Sequence, residues 1–273
     1  MVIIQLAGGL GNQMFQYALY LQFQNLHKEV KIDDVAGFVE DEKRDPSLSA
    51  FGITYQKADP KEIEEMLDAS LLFWHRVRRK LFGRKRKSYF EADKRFKPEI
   101  FTWDDIYLEG YWQTEKYFEA VADQVRAAFD VGRLLMVQQA EDMVKAGRTK
   151  QQTKVQTYLR QITQTQSVSL HIRRGDYLTP ENQALFGGIC TEAYYKEAVR
   201  LMRKQYPGCR FFLFTNDKEW AKERFADDKG GRTTETALAD GEPADVIVVD
   251  LPEGSDHEEF ALMSKCKHHI LAN

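Results

Sequence analysis

Residues 167–178, SVSLHIRRGDYL, end an apolar run with a histidine and two arginines. Side chains alternate across a strand, so Val168, Leu170 and Ile172 share one face and His171 and Arg173 the other. An imidazole and a guanidinium then leave the carboxyl end of one strand together. Open α/β sheets gather ligands at that edge, and a guanidinium offers a phosphate two parallel N–H donors. Arg174, of opposite parity, reads as support for the sheet edge, with Asp176 as its ion-pair partner. The competing reading is an ordinary strand end with solvated arginines. An adhesive role for the Arg-Gly-Asp triplet has little support at a fixed sheet edge.

A second candidate is AGGLGNQ, residues 7–13. It is not a dinucleotide fingerprint, because the third glycine position holds Met14 and no acidic residue follows in a clear strand about twenty positions on. It is not a P-loop either, since no Gly-Lys-Ser/Thr follows. What remains is a tight turn at Gly9 and Gly11 where backbone approaches a ligand, leading into a helix whose free N–H groups favour anions. Asn12 stands near the N-cap of that helix, as a cap or as a ligand contact.

The positioning elements follow from periodicity. VIIQL reads as a buried strand and NQMFQYALYLQFQNL as a helix, with Phe15, Leu19 and Leu26 near helical spacing and Met14, Ala18 and Phe23 widening the apolar side. EVKIDD is a second strand, and residues 60–145 read as largely helical with aromatic interruptions such as YLEGYWQTEKYF. The polar stretch 146–166 marks a domain boundary near residue 150. Beyond it VSLHI, FFLF and VIVVD are strands, separated by the helical TEAYYKEAVRLMRKQY and a looser segment, and this alternation predicts a parallel sheet. DDKGGRTTETALADGEPAD reads as a loop.

A chain of 273 residues with 43% hydrophobic content suits two folded domains, and a net charge of −3 gives no global attraction to nucleic acid. Cys190, Cys209 and Cys266 are too few and scattered for a disulfide framework. No stretch approaches a membrane span, so a cytoplasmic protein is expected. Cys266, His268 and His269 lack the paired spacing of a metal site. Residues 71–87, LLFWHRVRRKLFGRKRK, pack eight Arg and Lys between Arg76 and Lys87 among apolar residues. Either this is a solvated helix with a core-facing apolar side, or it docks on anionic lipid, where each basic residue contributes about 1 kcal/mol. The aromatics Tyr107, Tyr111, Trp112, Tyr117 and Phe118 read as core or as stacking surfaces for sugar rings, and so do Tyr194 and Tyr195.

Taken in order, GGLGNQMFQYA, GYWQTEKYF, HIRRGDYL, FTND and LMSKCKHHILAN resemble the bacterial α-1,2-fucosyltransferases across essentially the whole chain. The resemblance implies an α/β, GT-B-like fold of two facing Rossmann-like domains with parallel sheets. Residues 1–150 would form the acceptor-side domain with a helical insertion, and 151–273 the GDP-fucose-binding domain. It implies inverting transfer of L-fucose from GDP-β-L-fucose to the 2-hydroxyl of a terminal galactoside in a bacterial surface glycan, without a metal or other cofactor. The partners implied are GDP-fucose and a galactose-terminated glycan. To these the basic segment adds peripheral contact with the inner face of the membrane; no nucleic acid is expected. The runner-up readings are a fucosyltransferase of other linkage and a nucleotide-sugar-binding protein without turnover.

Residue by residue, the resemblance places Arg173 on the donor β-phosphate, His171 on the nucleotide and Asn12 near the reacting centre. Glu259 stands where relatives carry an aspartate that reads guanine, with Glu258 as a competitor; a carboxylate accepts from N1–H and the exocyclic amine together. Asp217 matches FTND without a definite contact. Relatives continue past ILAN with a serine-rich, tryptophan-bearing segment, so the C-terminal domain is expected to be short of phosphate donors. The general base stays open among Asp33, Asp34 and Glu115.

Overall fold

A computed structural model of the chain describes residues 1–41, 44–69, 72–83, 85–93, 95–132, 150–174, 179–180, 189–225 and 246–272. It divides into two compact units, Met1–Leu134 and Leu135–Asn273. Each is α/β and carries a four-stranded parallel sheet.

In the first unit the strands are β1 (Val2–Ala7), β2 (Val30–Gly37), β3 (Ser88–Phe90) and β4 (Ile106–Glu109), in the order β2-β1-β4-β3. Val2, Ile3, Ile4 and Leu6 are fully buried, as the continuous apolar run of a central parallel strand requires. Helix α1 (Leu10–Asn25) follows directly. The expectation of a largely helical stretch over residues 60–145 is corrected. Its described part holds α2 (Pro60–Met66), α3 (Phe73–Phe82) and α4 (Ala122–Ala128), together with β3 and β4. Strands of three and four residues are too short to show a period of two, so the aromatic-rich runs hid them.

The second unit holds β5 (Ser167–Ile172), β6 (Arg210–Thr215), β7 (Val246–Val248) and β8 (His268–Ile270), in the order β7-β6-β5-β8. Its helices are α5 (Lys150–Gln164), α6 (Glu192–Gln205), α7 (Lys218–Phe225) and α8 (Asp256–Lys265). Alternation splits the strands between two cores. Val168, Leu170, Ile172, Phe211 and Leu213 pack with Tyr195, Val199 and Ala221 from α6 and α7. Phe212 and Phe214 pack on the other face with Val155, Ile162 and Leu262 from α5 and α8. The polar stretch read as a boundary is thus mostly α5, anchored by its few apolar residues. The loop expected over residues 227–245 lies outside the described residues.

Along the chain the first sheet's strand order turns back twice, before β3 and again before β4, and the second sheet's once, before β8. From β1 the chain steps outward to β2, and β4 then sits on the other flank of β1. From β5 it steps to β6 and β7, and β8 returns to the other flank of β5. The helical connections diverge at such reversals and open a crevice at the carboxyl ends of the two strands. By that rule the ends of β1 and β4, and of β5 and β8, are where a crevice is expected.

Candidate active site

The histidine and the two arginines stand at the carboxyl end of β5. His171 pairs in register with Phe214 and is half-buried. Burial, and secondarily the charge of Arg173, push its pKa below the ordinary imidazole value, which favours the neutral ring. Arg173, also half-buried, is the first residue past the strand.

Arg174 is braced on three sides. Its N–H donates to Asn216 Oδ1 at 2.8 Å, its Nε to Asp217 Oδ2 at 3.2 Å, and its guanidinium stacks 4.1 Å over the Trp220 ring. Asn216 Nδ2 returns a bond to the Arg174 carbonyl at 3.3 Å. This fixes the backbone from which the neighbouring Arg173 departs. Arg174 therefore supports the edge, through Asn216 and Asp217 in the turn after β6 and Trp220 on α7; Asp176, the partner expected from sequence, lies outside the described residues. Asp217 also accepts from the Trp220 N–H at 3.2 Å, capping α7. Its two oxygens are thus engaged by the protein, which gives it a positioning role. Asn216 and Trp220 were not singled out from sequence; the FTND motif was the available signal.

Glu259 lies in the first turns of α8, and its carboxylate pairs with Lys218 Nζ at 2.9 Å. Burial pushes the Glu259 carboxyl upward, Lys218 pulls it back, and Asp256 and Glu258 add to the upward push. Lys218 also donates to the Leu251 carbonyl. Glu258 is buried. Sequence reasoning missed Lys218, which directly follows FTND but pairs 41 residues downstream.

At the carboxyl end of β1 the left-handed residue of the AGGLG turn is Gly8. Gly8 has φ +74°, and a Cβ there would lie 2.5 Å from Asn12 Nδ2 and 3.2 Å from Tyr111 Cε1. Gly9 is the extended N-cap of α1, and a methyl group added at Gly11 would meet nothing within 4 Å. Asn12 is corrected from the cap to the third helical residue, where its Oδ1 accepts from Gln113 Nε2 at 2.8 Å.

Two fully buried glutamines hold the turn. Gln13 donates to the carbonyls of Gly8 (2.9 Å) and Asp45 (3.0 Å) and accepts from the Ser47 N–H (2.8 Å). Gln16 accepts from the Ala7 N–H at 3.1 Å and donates to the Gly110 carbonyl at 2.8 Å, joining β1 to the loop after β4. Glu91 Oε2 accepts from Tyr111 N and Trp112 N at 2.9 and 2.8 Å.

The base candidates separate. Asp33 is buried and accepts from Val35 N, Ala36 N and the Tyr107 hydroxyl at 3.0, 3.1 and 2.7 Å, so it shapes the end of β2. Asp34 accepts from the Tyr55 hydroxyl at 2.9 Å and pairs with Lys57 at 2.7 Å. Glu115 is exposed. In the C-terminal motif, burial pushes the Cys266 thiol up to about 12, His268 stacks on Tyr206, and His269 Nδ1 bonds Ser169 Oγ at 2.8 Å. These contacts give the motif a structural role. Tyr107, Trp112 and Tyr117 are core, whereas Tyr111 is exposed.

The fold and site together define a parallel α/β protein whose second sheet carries His171, Arg173 and the braced Arg174 at the carboxyl end of β5. A family model described as "Glycosyl transferase family 11" matches residues 97–273, and the chain belongs to that family. It is similar to an alpha-1,2-colitosyltransferase of Escherichia coli, 26% identical over 281 residues, covering all of this chain and 83% of that protein. It is similar also to the O-antigen biosynthesis glycosyltransferase WbnK of Escherichia coli, 25% identical over 284 residues, with 98% of this chain and 85% of that one covered. Galactoside alpha-(1,2)-fucosyltransferase 1 of Ateles belzebuth is 24% identical over 265 residues, covering 97% and 60% respectively. The family implies a nucleotide-sugar donor and a glycan acceptor. Among the described residues no helix is long and apolar enough to cross a membrane.

Proposed function

We propose that the protein is an inverting, metal-independent galactoside 2-α-L-fucosyltransferase that uses GDP-β-L-fucose and acts on a galactose-terminated bacterial glycan. The observation that carries this reading is Arg173 directly after the carboxyl end of β5, the neighbouring Arg174 held by Asn216 and Asp217. As the bond from the anomeric carbon to the β-phosphate oxygen breaks, negative charge grows on GDP and the sugar acquires oxocarbenium character. Arg173 stabilises that leaving diphosphate. A neutral His171 accepts or donates one hydrogen bond to the nucleotide without competing for the anion's charge. Glu259 reads guanine; each carboxylate oxygen has two acceptor positions, so pairing with Lys218 is compatible with a base edge. The acceptor 2-hydroxyl attacks from the opposite face; its oxygen bonds the anomeric carbon as GDP leaves, and its proton passes to water.

The similarity to a colitosyltransferase favours one second reading, in which the donor carries a different deoxy sugar. The test is a screen of GDP-fucose and a colitosyl donor against lactose and related galactosides, with product linkage read by NMR. α-1,2-Fucosylated product, undiminished by EDTA, supports the proposal. Another linkage, colitose transfer alone, or GDP binding by calorimetry without turnover would each replace it.

A further inference from the structure

Helix α3 does not bury its apolar side, contrary to one of the two readings its sequence allowed. Phe73, Trp74, Leu81 and Phe82 are 69, 77, 69 and 74% exposed, and Leu72, just before the helix, is 67% exposed. At 100° per residue, Phe73, Val77, Leu81 and Trp74 form one stripe about 100° wide. The exposed Arg76 and Lys80 flank one edge of it and Arg78 the other, and the exposed basic run continues through Lys85, Arg86 and Lys87.

The helix is nevertheless held in place. The buried Asp68 carboxylate pairs with Arg78 through one oxygen and accepts the Lys85 N–H at 2.9 Å through the other, while Lys87 N donates to the Met66 carbonyl at 2.8 Å. Both ends of the excursion from α2 to β3 are therefore tied to the end of α2. The fold fastens this helix by its Arg78 edge and leaves two adjacent aromatic rings and a leucine uncovered among the described residues.

Exposed Phe, Trp and Leu bordered by cations match an interfacial helix: aromatic rings enter the headgroup–acyl boundary while arginine and lysine meet lipid phosphates. The cationic character is local. Eight of the chain's 39 Arg and Lys fall between Arg76 and Lys87 with no acidic residue among them, in a chain of net charge −3. We infer that α3 is a docking surface for an anionic phospholipid bilayer, with the Phe73–Trp74–Leu81 stripe inserted and the flanking basic residues on headgroups. The inference is independent of which sugar is transferred.

The test is co-sedimentation of the full chain with vesicles of phosphatidylcholine alone or with about 30 mol% phosphatidylglycerol, at low and high salt. The expected result is at least about tenfold stronger partition onto the anionic vesicles, weakening as salt rises. Trp74→Glu with Leu81→Glu, and separately Arg76→Glu with Lys80→Glu, should each lower that partition about tenfold or more. Because these positions are exposed, the variants keep the wild-type circular dichroism and Tm. Equal sedimentation with and without vesicles overturns the inference. So does binding that ignores both variants, or light scattering in which Trp74→Glu turns a dimer into a monomer and so identifies a second copy as the occupant. Binding to an RNA homopolymer that only the charge variant abolishes, without vesicle binding, overturns it as well.

Discussion

Each sheet seats its first strand between two others, β1 between β2 and β4 and β5 between β6 and β8, yet the ends of these two strands are built from opposite materials. At the β1–β4 reversal, neutral side chains close on the protein's own backbone: Gln13 and Gln16 meet the ends of Ala7, Gly8, Asp45, Ser47 and Gly110. At the β5–β8 reversal, charged groups brace one another, and a histidine and an arginine stand at the carboxyl edge. The first arrangement freezes a glycine turn, so that its N–H groups hold one orientation. The second concentrates positive charge. The two strand ends therefore offer two complementary ways of stabilising an anion, preset dipoles and a fixed cation.

The sharpest way to break that comparison is Arg173→Ala. Loss of one preorganised donor to a developing anion costs about 10²–10³ in rate. Turnover should fall by that much, and the Tm of the same variant tells lost charge from lost fold. A variant that kept a tenth or more of wild-type turnover would move the charge-stabilising role elsewhere.

Gln16→Leu attacks the other switch point, and the expected damage is to stability. It strands the Ala7 N–H and the Gly110 carbonyl, and each buried orphan costs roughly 1–3 kcal/mol. Urea unfolding should show a loss on the order of 2–4 kcal/mol. Retained stability with lost turnover would show that the amide serves the chemistry rather than the scaffold.

That glutamine also marks where sequence reading stops. Period-two alternation made β5 legible, and with it the separation of Val168, Leu170 and Ile172 from His171, because a strand buried on both faces must sort its side chains. Gln13 and Gln16 carry no comparable signal. In a helix they read as surface residues, and only the backbone ends brought together by the β1–β4 reversal give them partners. Strand β8 was hidden for a related reason: His268 and His269 are poor strand indicators, and Ser169 and Tyr206 accommodate them only after folding. Lys218 was illegible until Glu259 came within reach.

A smaller effect should appear in the pH dependence of stability. The folded pKa of His171 lies below the ordinary imidazole value of 6.5, first through burial and then through Arg173. The unfolded chain therefore takes up this proton before the folded one does. Stability from this group is complete above about pH 6.5 and is lost as pH falls from there through the lower folded value. His171→Gln should flatten unfolding free energy over that window. The flattening is partial, since burial lowers the His269 pKa too. An unchanged slope would mean that the imidazole is not desolvated, and the contrast between a dry charged site and an internally satisfied one would weaken.

The smallest expected effect discriminates within the glycine turn. Gly8 is held by its left-handed backbone and by Asn12 and Tyr111, whereas Gly11 lies in the first turn of α1 with open space around it. On folding grounds alone, Gly11→Ala should stabilise the protein by about 0.5 kcal/mol, because alanine loses less backbone freedom in a helix. If the turn's N–H groups approach the donor diphosphate, the added methyl should also lower turnover severalfold. A rise in Tm with reduced turnover would assign Gly11 to ligand approach. A rise in Tm with turnover intact would confine that approach to Gly8 and Gly9, leaving the first switch point with a narrower part in the chemistry than the second.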